Sequence, residues 1–193
     1  MKHIIKHTFV LAVLASSLQG CIFVAGAAAG AAAIAVVHDH RSISSTVEDT
    51  KLATKVFDKI NSVPALHNDS HVEVSVFNHV ALLVGQTPDP ALRQQAETIA
   101  KSVPDISKVY NQLTIQGPTS SLTRTSDSWI TTKIKSLMLA DSDLKSSSIK
   151  VITENGDVFL MGAVNKQQAD AAVDIARQVT GVQKVVKVFQ YRN

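Results

Sequence analysis

Hydrophobic residues recur along residues 47–116 with two periods, one typical of helices and one of strands. The first helix is indicated by apolar residues spaced three or four apart, which are Leu52, Val56, Ile60 and Val63. After a predicted loop at residues 62–70, valines alternate with other residues from Val72 to Val76, as in a strand. Asn78 and His79 form a turn that leads into a continuous apolar strand, a helix and a strand, at residues 80–84, 91–102 and 107–115.

The same order returns in the second half of the chain, at offsets of 76 to 78 residues. Residues 74–78 match residues 151–155, and residues 82–85 match residues 159–162. The second copy contains Asn-Gly at the hairpin position, which is a strong turn signal. Two copies of about 70 residues indicate a duplicated small domain rather than a solenoid.

These patterns predict an α+β protein with two tandem domains, each αββαβ, with two helices packed on a three-stranded mixed sheet. We place the domains at residues 47–116 and 126–193. A segment rich in Gly, Pro, Ser and Thr at residues 117–125 is predicted to link them. Gly85 and Gly162 end the second strand of each copy. We interpret both as structural glycines that allow a sharp exit or a close helix approach.

The N-terminal segment has the pattern of a secretory signal. Lys2 and Lys6 precede a short apolar run, and the small residue Gly20 precedes Cys21, the one cysteine of the chain. Residues 1–20 resemble a bacterial lipoprotein signal, which implies cleavage before Cys21 and acylation of that residue. The alternative is a buried cysteine. Residues 21–46 then form an Ala/Gly-rich tether, too poor in large apolar residues for a membrane span.

The αββαβ unit with a glycine after its second strand resembles the BON domain family. The residues that carry the resemblance are 18–21, 82–86, 129–133 and 153–162. The resemblance implies a protein without enzymatic activity that is lipid-anchored at the outer membrane and faces the periplasm. It also implies binding of anionic phospholipid through the second domain, enrichment at division sites and support of outer-membrane integrity. An adaptor for the outer-membrane protein assembly machinery, acting through the first domain, is the alternative.

Charge and helical position favour the second domain as the lipid-binding one. Residues 48–116 carry a net charge of −2, whereas residues 126–193 carry +2, the sign that attracts anionic headgroups. The predicted core face of its first helix consists of Ile130, Ile134, Leu137 and Met138. Away from that face lie the candidate phospholipid-binding residues, which are Trp129, Lys133, Ser136 and Leu139. The alternative for Trp129 is packing against the linker or the other domain.

Other chemistry is weakly indicated. His38 with His40 and His67 with His71 lack enough partners for a metal site, and solvated histidines are the simpler interpretation. The sequence has no nucleophile elbow and no phosphate-binding glycine loop. Net charge falls from +3 to +1 when residues 1–20 are removed, so the basic pI is poor evidence for nucleic-acid binding. We therefore assign no cofactor, no metal, no small-molecule substrate and no nucleic-acid partner.

Overall fold

The computed structural model describes residues 43–192 and contains the duplicated order of helices and strands. The elements of the first copy are α1 (Ile43–Asn61), α2 (Pro64–Asp69), β1 (His71–Phe77), β2 (Val80–Thr87), α3 (Pro90–Lys101), β3 (Lys108–Asn111) and β4 (Thr114–Ile115). Those of the second copy are α4 (Ser121–Ala140), a 3₁₀ turn (Ser146–Ser148), β5 (Ile149–Glu154), β6 (Asp157–Val164), α5 (Lys166–Arg177) and β7 (Lys184–Tyr191). The α+β class predicted from the sequence is confirmed.

Each copy builds a mixed sheet with one hairpin and one crossover. In the first sheet β1 is antiparallel to β2, and β3 and β4 lie parallel to the other edge of β2. The second sheet has the order β5-β6-β7 with the same orientations. Positive φ angles at Asn78, His79, Asn155 and Gly156 identify both hairpin turns as the two-residue type that the Asn residues indicated.

Helices cover one face of each sheet. In the first copy α1 buries Leu52, Val56 and Ile60 in a core shared with α3, β1 and β2. In the second copy α4 and α5 form the equivalent core against β5 and β6. The apolar residues of each helix therefore form one stripe, and burial of that stripe against the sheet stabilises the helix.

The two sheets pack on each other through their remaining faces. Side chains from β1, β2, β5, β6 and β7 form a third core, which contains Phe77, Val80, Leu82, Val84, Ile152, Phe159, Met161 and Val188. The continuous apolar strands at residues 80–84 and 158–161 are thus buried on both faces, which explains why they do not alternate. Both domains belong to one compact unit.

Three predicted segments differ from the structure. The loop at residues 62–70 contains α2, because Pro64 suits the first turn of a helix and Leu66 is buried. The linker at residues 117–125 contains the start of α4, whose first turn is capped by the Ser120 hydroxyl accepting from the Thr123 amide. The strand at residues 107–115 is broken, because Leu113 turns into the core of the first domain.

The two structural glycines lie inside their strands and do not end them. A Cβ on Gly85 would lie 2.0 Å from the carbonyl oxygen of His71, and φ is +117° there. A Cβ on Gly162 would lie 2.5 Å from the carbonyl oxygen of Ser148. The close approach is therefore to the preceding strand and its lead-in, and not to a helix.

Candidate membrane-binding site

Helix α4 places the predicted phospholipid-binding residues on the surface of the second domain. Its inner face buries Asp127, Ile130, Ile134 and Met138. Trp129 is 55% exposed and has no ring partner among the described residues. Lys133 and Ser136 are exposed beside it. The structure therefore leaves more than half of the Trp129 surface open to solvent.

Two leucines extend this apolar surface in opposite directions. Leu139 is 77% exposed, as expected from its position at the rim. Leu122 is 80% exposed and precedes Trp129 by seven residues. At about 100° per residue, Leu122 lies within about 20° of Trp129 on the helix surface and about 10 Å along the axis. Leu122 was not predicted as part of this surface, because residues 117–125 have the composition of a linker.

Leu137 corrects the predicted core face. It was grouped with Ile130, Ile134 and Met138, yet 37% of its surface is exposed. At about 100° per residue, Leu137 lies about 80° from Trp129 around the helix, and Leu139 lies about 80° away in the other direction. Leu137 therefore belongs to the edge of the exposed surface.

The exposed charges of α4 are all positive. They belong to Arg124, Lys133 and Lys135. The one acidic residue of the helix, Asp127, is buried and accepts from the backbone amides of the hairpin turn. Ser136 donates its hydroxyl to the Thr132 carbonyl, 2.9 Å away, so only its oxygen lone pairs remain for a ligand. The helix thus presents apolar side chains among cations, a surface suited to an anionic interface.

The buried aspartate is a repeated feature that sequence analysis did not single out. Asp127 accepts from the amides of Asn155 and Gly156 at 2.8 and 2.9 Å. Asp49, at the equivalent position of α1, accepts from the amides of Asn78 and His79 at 2.8 and 3.1 Å. Each first helix is thereby fixed to the hairpin turn of its own domain. The signal was present in the repeat, since the two aspartates align at an offset of 78 residues.

A polar cleft of about 480 Å³ lies between the domains beside α4. At its rim Glu154 accepts from the Gln86 side-chain amide at 2.5 Å, and His71 Nε2 lies 3.8 Å from the other Glu154 oxygen. Glu73 is accessible to solvent but crowded by protein atoms. Desolvation raises its carboxyl pKa, and repulsion from Glu154 raises that pKa further. The cleft therefore makes ionisation of Glu73 less favourable than it is in water.

Cys21, the predicted lipid-attachment residue, and the His38/His40 pair lie outside the described residues, as do residues 22–42 of the predicted tether. The last residues of that tether are helical instead, because α1 begins at Ile43. Within residues 43–192 no group of three or more histidine, cysteine or acidic side chains is arranged to hold a metal ion. His67 lies in α2 and His71 begins β1. None of the helices in this part of the chain is long and apolar enough to cross a membrane.

Comparison with known proteins identifies both copies. The BON domain family matches residues 48–117 and 126–193. The outer membrane lipoprotein DolP of Haemophilus influenzae is 39% identical over 174 residues, which cover 90% of each chain. The 21 kDa hemolysin of Actinobacillus pleuropneumoniae is 38% identical over 153 residues, or 79% of each chain. The osmotically-inducible protein Y of Escherichia coli is 32% identical over 117 residues, covering 59% of this chain and 58% of its own length.

Proposed function

Since the chain belongs to the BON-domain family, as an outer-membrane lipoprotein with two BON domains in tandem, we propose that its second domain binds anionic phospholipid through α4. The observation that carries this proposal is the exposure of Trp129 between Leu122 and Lys133 on a helix whose accessible charges are all positive. Residues 129–133 of this helix also resemble the BON family, which supports the assignment of lipid binding to α4.

The side chains of α4 match the layers of a membrane surface. The Trp129 ring is suited to the headgroup level, where its apolar body and its N–H both find partners. Leu122 and Leu139 supply apolar depth, each worth about 1.5–3 kcal/mol if fully removed from water. Lys133 meets lipid phosphate, and each such cation near an anionic surface contributes about 1 kcal/mol. The sum predicts weak, reversible binding.

Weak binding is sufficient for a protein already held at a membrane. We propose that acylated Cys21 anchors the chain at the periplasmic face of the outer membrane. The anchor raises the local concentration of α4 at the bilayer, so a weak contact becomes significant. Under this proposal the anchor sets the compartment, and α4 selects regions rich in anionic lipid, including division sites, where the protein supports membrane integrity.

Vesicle co-sedimentation of residues 41–193, a compact unit in the structure, tests the role of α4. Lys133→Glu reverses one charge and should weaken binding to anionic vesicles by about 30-fold, from about 2 kcal/mol of lost attraction. Trp129→Ala should weaken it by about tenfold. The matched control is Lys55→Glu, since exposed Lys55 of α1 aligns with Lys133. If neither α4 variant changes binding, α4 is not the lipid site.

The anchor is tested separately in the full chain. Radiolabelled palmitate should enter the wild-type protein, and Cys21→Ala should abolish both labelling and stable membrane association. A Cys21→Ala protein that stays in the membrane fraction after high-salt washing would contradict acylation as the anchor. That outcome would leave the vesicle experiment unaffected, so the two parts of the proposal can fail independently.

A further inference from the structure

Strand β1 is one of the two edges of the first sheet, and β3 and β4 form the other. The pairing of Phe77 with Val80 across the turn means that alternate residues of β1, beginning at Phe77, exchange hydrogen bonds with β2. The amides and carbonyls of Val72 and Val74 therefore point away from β2. Among the residues that the structure describes, none forms a hydrogen bond to these four groups. An edge of this kind is a template for an added strand.

A groove lies along one face of this edge. It has a volume of about 570 Å³ and runs between β1 and the flank of α1. Ala53, Phe57 and Val74 contribute apolar surface to it, and Phe57 is 41% exposed. A groove between a helix and an edge strand can hold an extended peptide, whose backbone pairs with the strand and whose side chains contact the helix.

The polar cleft described above lies along the other face of the same edge. His71, Glu73 and Lys150 line both the groove and the cleft, so the two are continuous. A strand added to β1 would direct alternate side chains into the groove and into the cleft. The chemistry of the groove therefore indicates one alternate set of side chains on such a strand, and the chemistry of the cleft indicates the other set.

The accessible charge of the cleft is positive. Its exposed cations are Arg124 and Lys135, and the half-buried Lys150 donates to the Val76 carbonyl of β1. Two of its three carboxylates, Asp127 and Glu154, are buried and hydrogen-bonded within the protein. Glu73 is the solvent-facing carboxylate among the lining residues. The cleft is therefore complementary to acidic side chains, with Glu73 opposing them.

The helix of the second domain is more polar at the equivalent place. Its counterparts of Thr50, Ala53, Thr54 and Phe57 are Ser128, Thr131, Thr132 and Lys135. Thr131 donates its hydroxyl to that of Thr153 on β5, which joins the helix to the edge strand. The helix of the first domain therefore has the more apolar surface beside its edge strand.

We propose that an extended segment of a partner protein, alternating apolar and acidic residues, adds to β1 as a further strand of the first sheet. This inference goes beyond lipid binding by the second domain and does not rest on it. It gives the adaptor function predicted for the first domain a physical form. The uncharged residues 22–37 of the chain itself lack the carboxylates that the cleft requires.

The test uses the full chain in detergent micelles and a fluorescent eight-residue peptide that alternates valine and glutamate. Saturable binding by fluorescence anisotropy is expected, and serine in place of glutamate should weaken it. N-methylation of one alternate set of peptide amides should abolish binding, while N-methylation of the other set should change it by less than about threefold, because only one set faces β1. Equal effects of the two sets would overturn strand addition.

Protein variants locate the peptide. Phe57→Lys should weaken binding by about tenfold, the equivalent of 1.4 kcal/mol, and it should fold because Lys135 occupies this position in the second domain. Glu73→Gln should strengthen binding. Trp129→Ala should leave peptide binding unchanged, and Phe57→Lys should leave vesicle binding unchanged, so failure here is separate from failure of the lipid proposal.

Three outcomes would contradict binding of a partner strand in the groove. Unchanged peptide affinity in Phe57→Lys would remove the groove from the site. Loss of vesicle binding in Phe57→Lys would assign the groove to the membrane. A tenfold gain of peptide affinity on deleting residues 22–37 would show that the chain's own segment occupies the groove. Each of these results overturns the partner-strand proposal.

Discussion

Replacing Asp127 with asparagine should destabilise the protein strongly although it preserves the shape of the side chain. The two Asp127 oxygens accept from the amides of Asn155 and Gly156 at 2.8 and 2.9 Å. Asparagine keeps one oxygen and turns an NH₂ group toward the other amide. One charge-assisted bond becomes neutral and the second becomes two opposed donors.

The expected loss is about 2–4 kcal/mol, because each hydrogen bond to a charged group contributes about 1.5–3 kcal/mol. That is a large fraction of the 5–15 kcal/mol typical of a folded domain. With a urea dependence of about 1–3 kcal/mol per molar, the unfolding midpoint should fall by about 1–2 M. Asp49→Asn should cause a similar fall, since Asp49 makes the same pair of bonds in the first domain.

The measurement is urea unfolding of residues 41–193 followed by circular dichroism. Asp174→Asn is the matched control, because Asp174 is exposed and its one ion pair, with Arg177 at 3.4 Å, is also exposed. That variant should stay within about 0.5 kcal/mol of wild type. A change of less than about 0.5 kcal/mol in Asp127→Asn would refute the reasoning, since it would mean that the turn amides are satisfied equally well without the carboxylate.

Three further predictions concern the stability of the folded chain. Phe159→Ala, in the core between the sheets, should cost about 3–5 kcal/mol and lower one urea transition shared by both domains; two separate transitions would contradict a shared core. Gly162→Ala should cost about 1–3 kcal/mol because its Cβ meets a backbone oxygen, whereas Gly117→Ala, with no atom within 4 Å, should be neutral in the same assay. The raised pKa of Glu73 gives stability that is complete below pH 4.5 and is lost as pH rises through the raised value. Glu73→Gln should therefore be more stable than wild type at pH 7 and equal to it below pH 4, and a constant difference across that range would refute this assignment.

Periodicity was sufficient to predict the repeated order of helices and strands. The spacing of Leu52, Val56 and Ile60 and the Asn-Gly turn gave elements whose bounds differ from the structure by a few residues. Helix α2 was missed because six residues are too few for a helical period to be visible. The start of α4 was missed because Ser and Thr dominate it, and its cap is a local hydrogen bond that the apolar pattern does not show.

The candidate site was only partly predictable, because apolar periodicity shows which helix face is buried and does not show where a helix begins. Trp129 was placed correctly on an exposed face because the apolar stripe of α4 defined the opposite face. Leu122 depended on knowing where the helix begins. The edge of β1 and the cleft depend on how the two sheets meet, and no local pattern encodes that. The continuous apolar strands indicate burial on both faces without identifying what covers the second face.

The face-to-face packing of the sheets gives the molecule a fixed polarity. Helices α1 and α3 cover one outer side and α4 and α5 cover the other, with both sheets between them. A protein lying on a bilayer through α4 would therefore turn the outer surface of α1 away from that bilayer. Attachment to lipid would then do more than localise the chain: it would orient the first domain, so that every copy on the membrane displays the same surface to proteins approaching from the aqueous side.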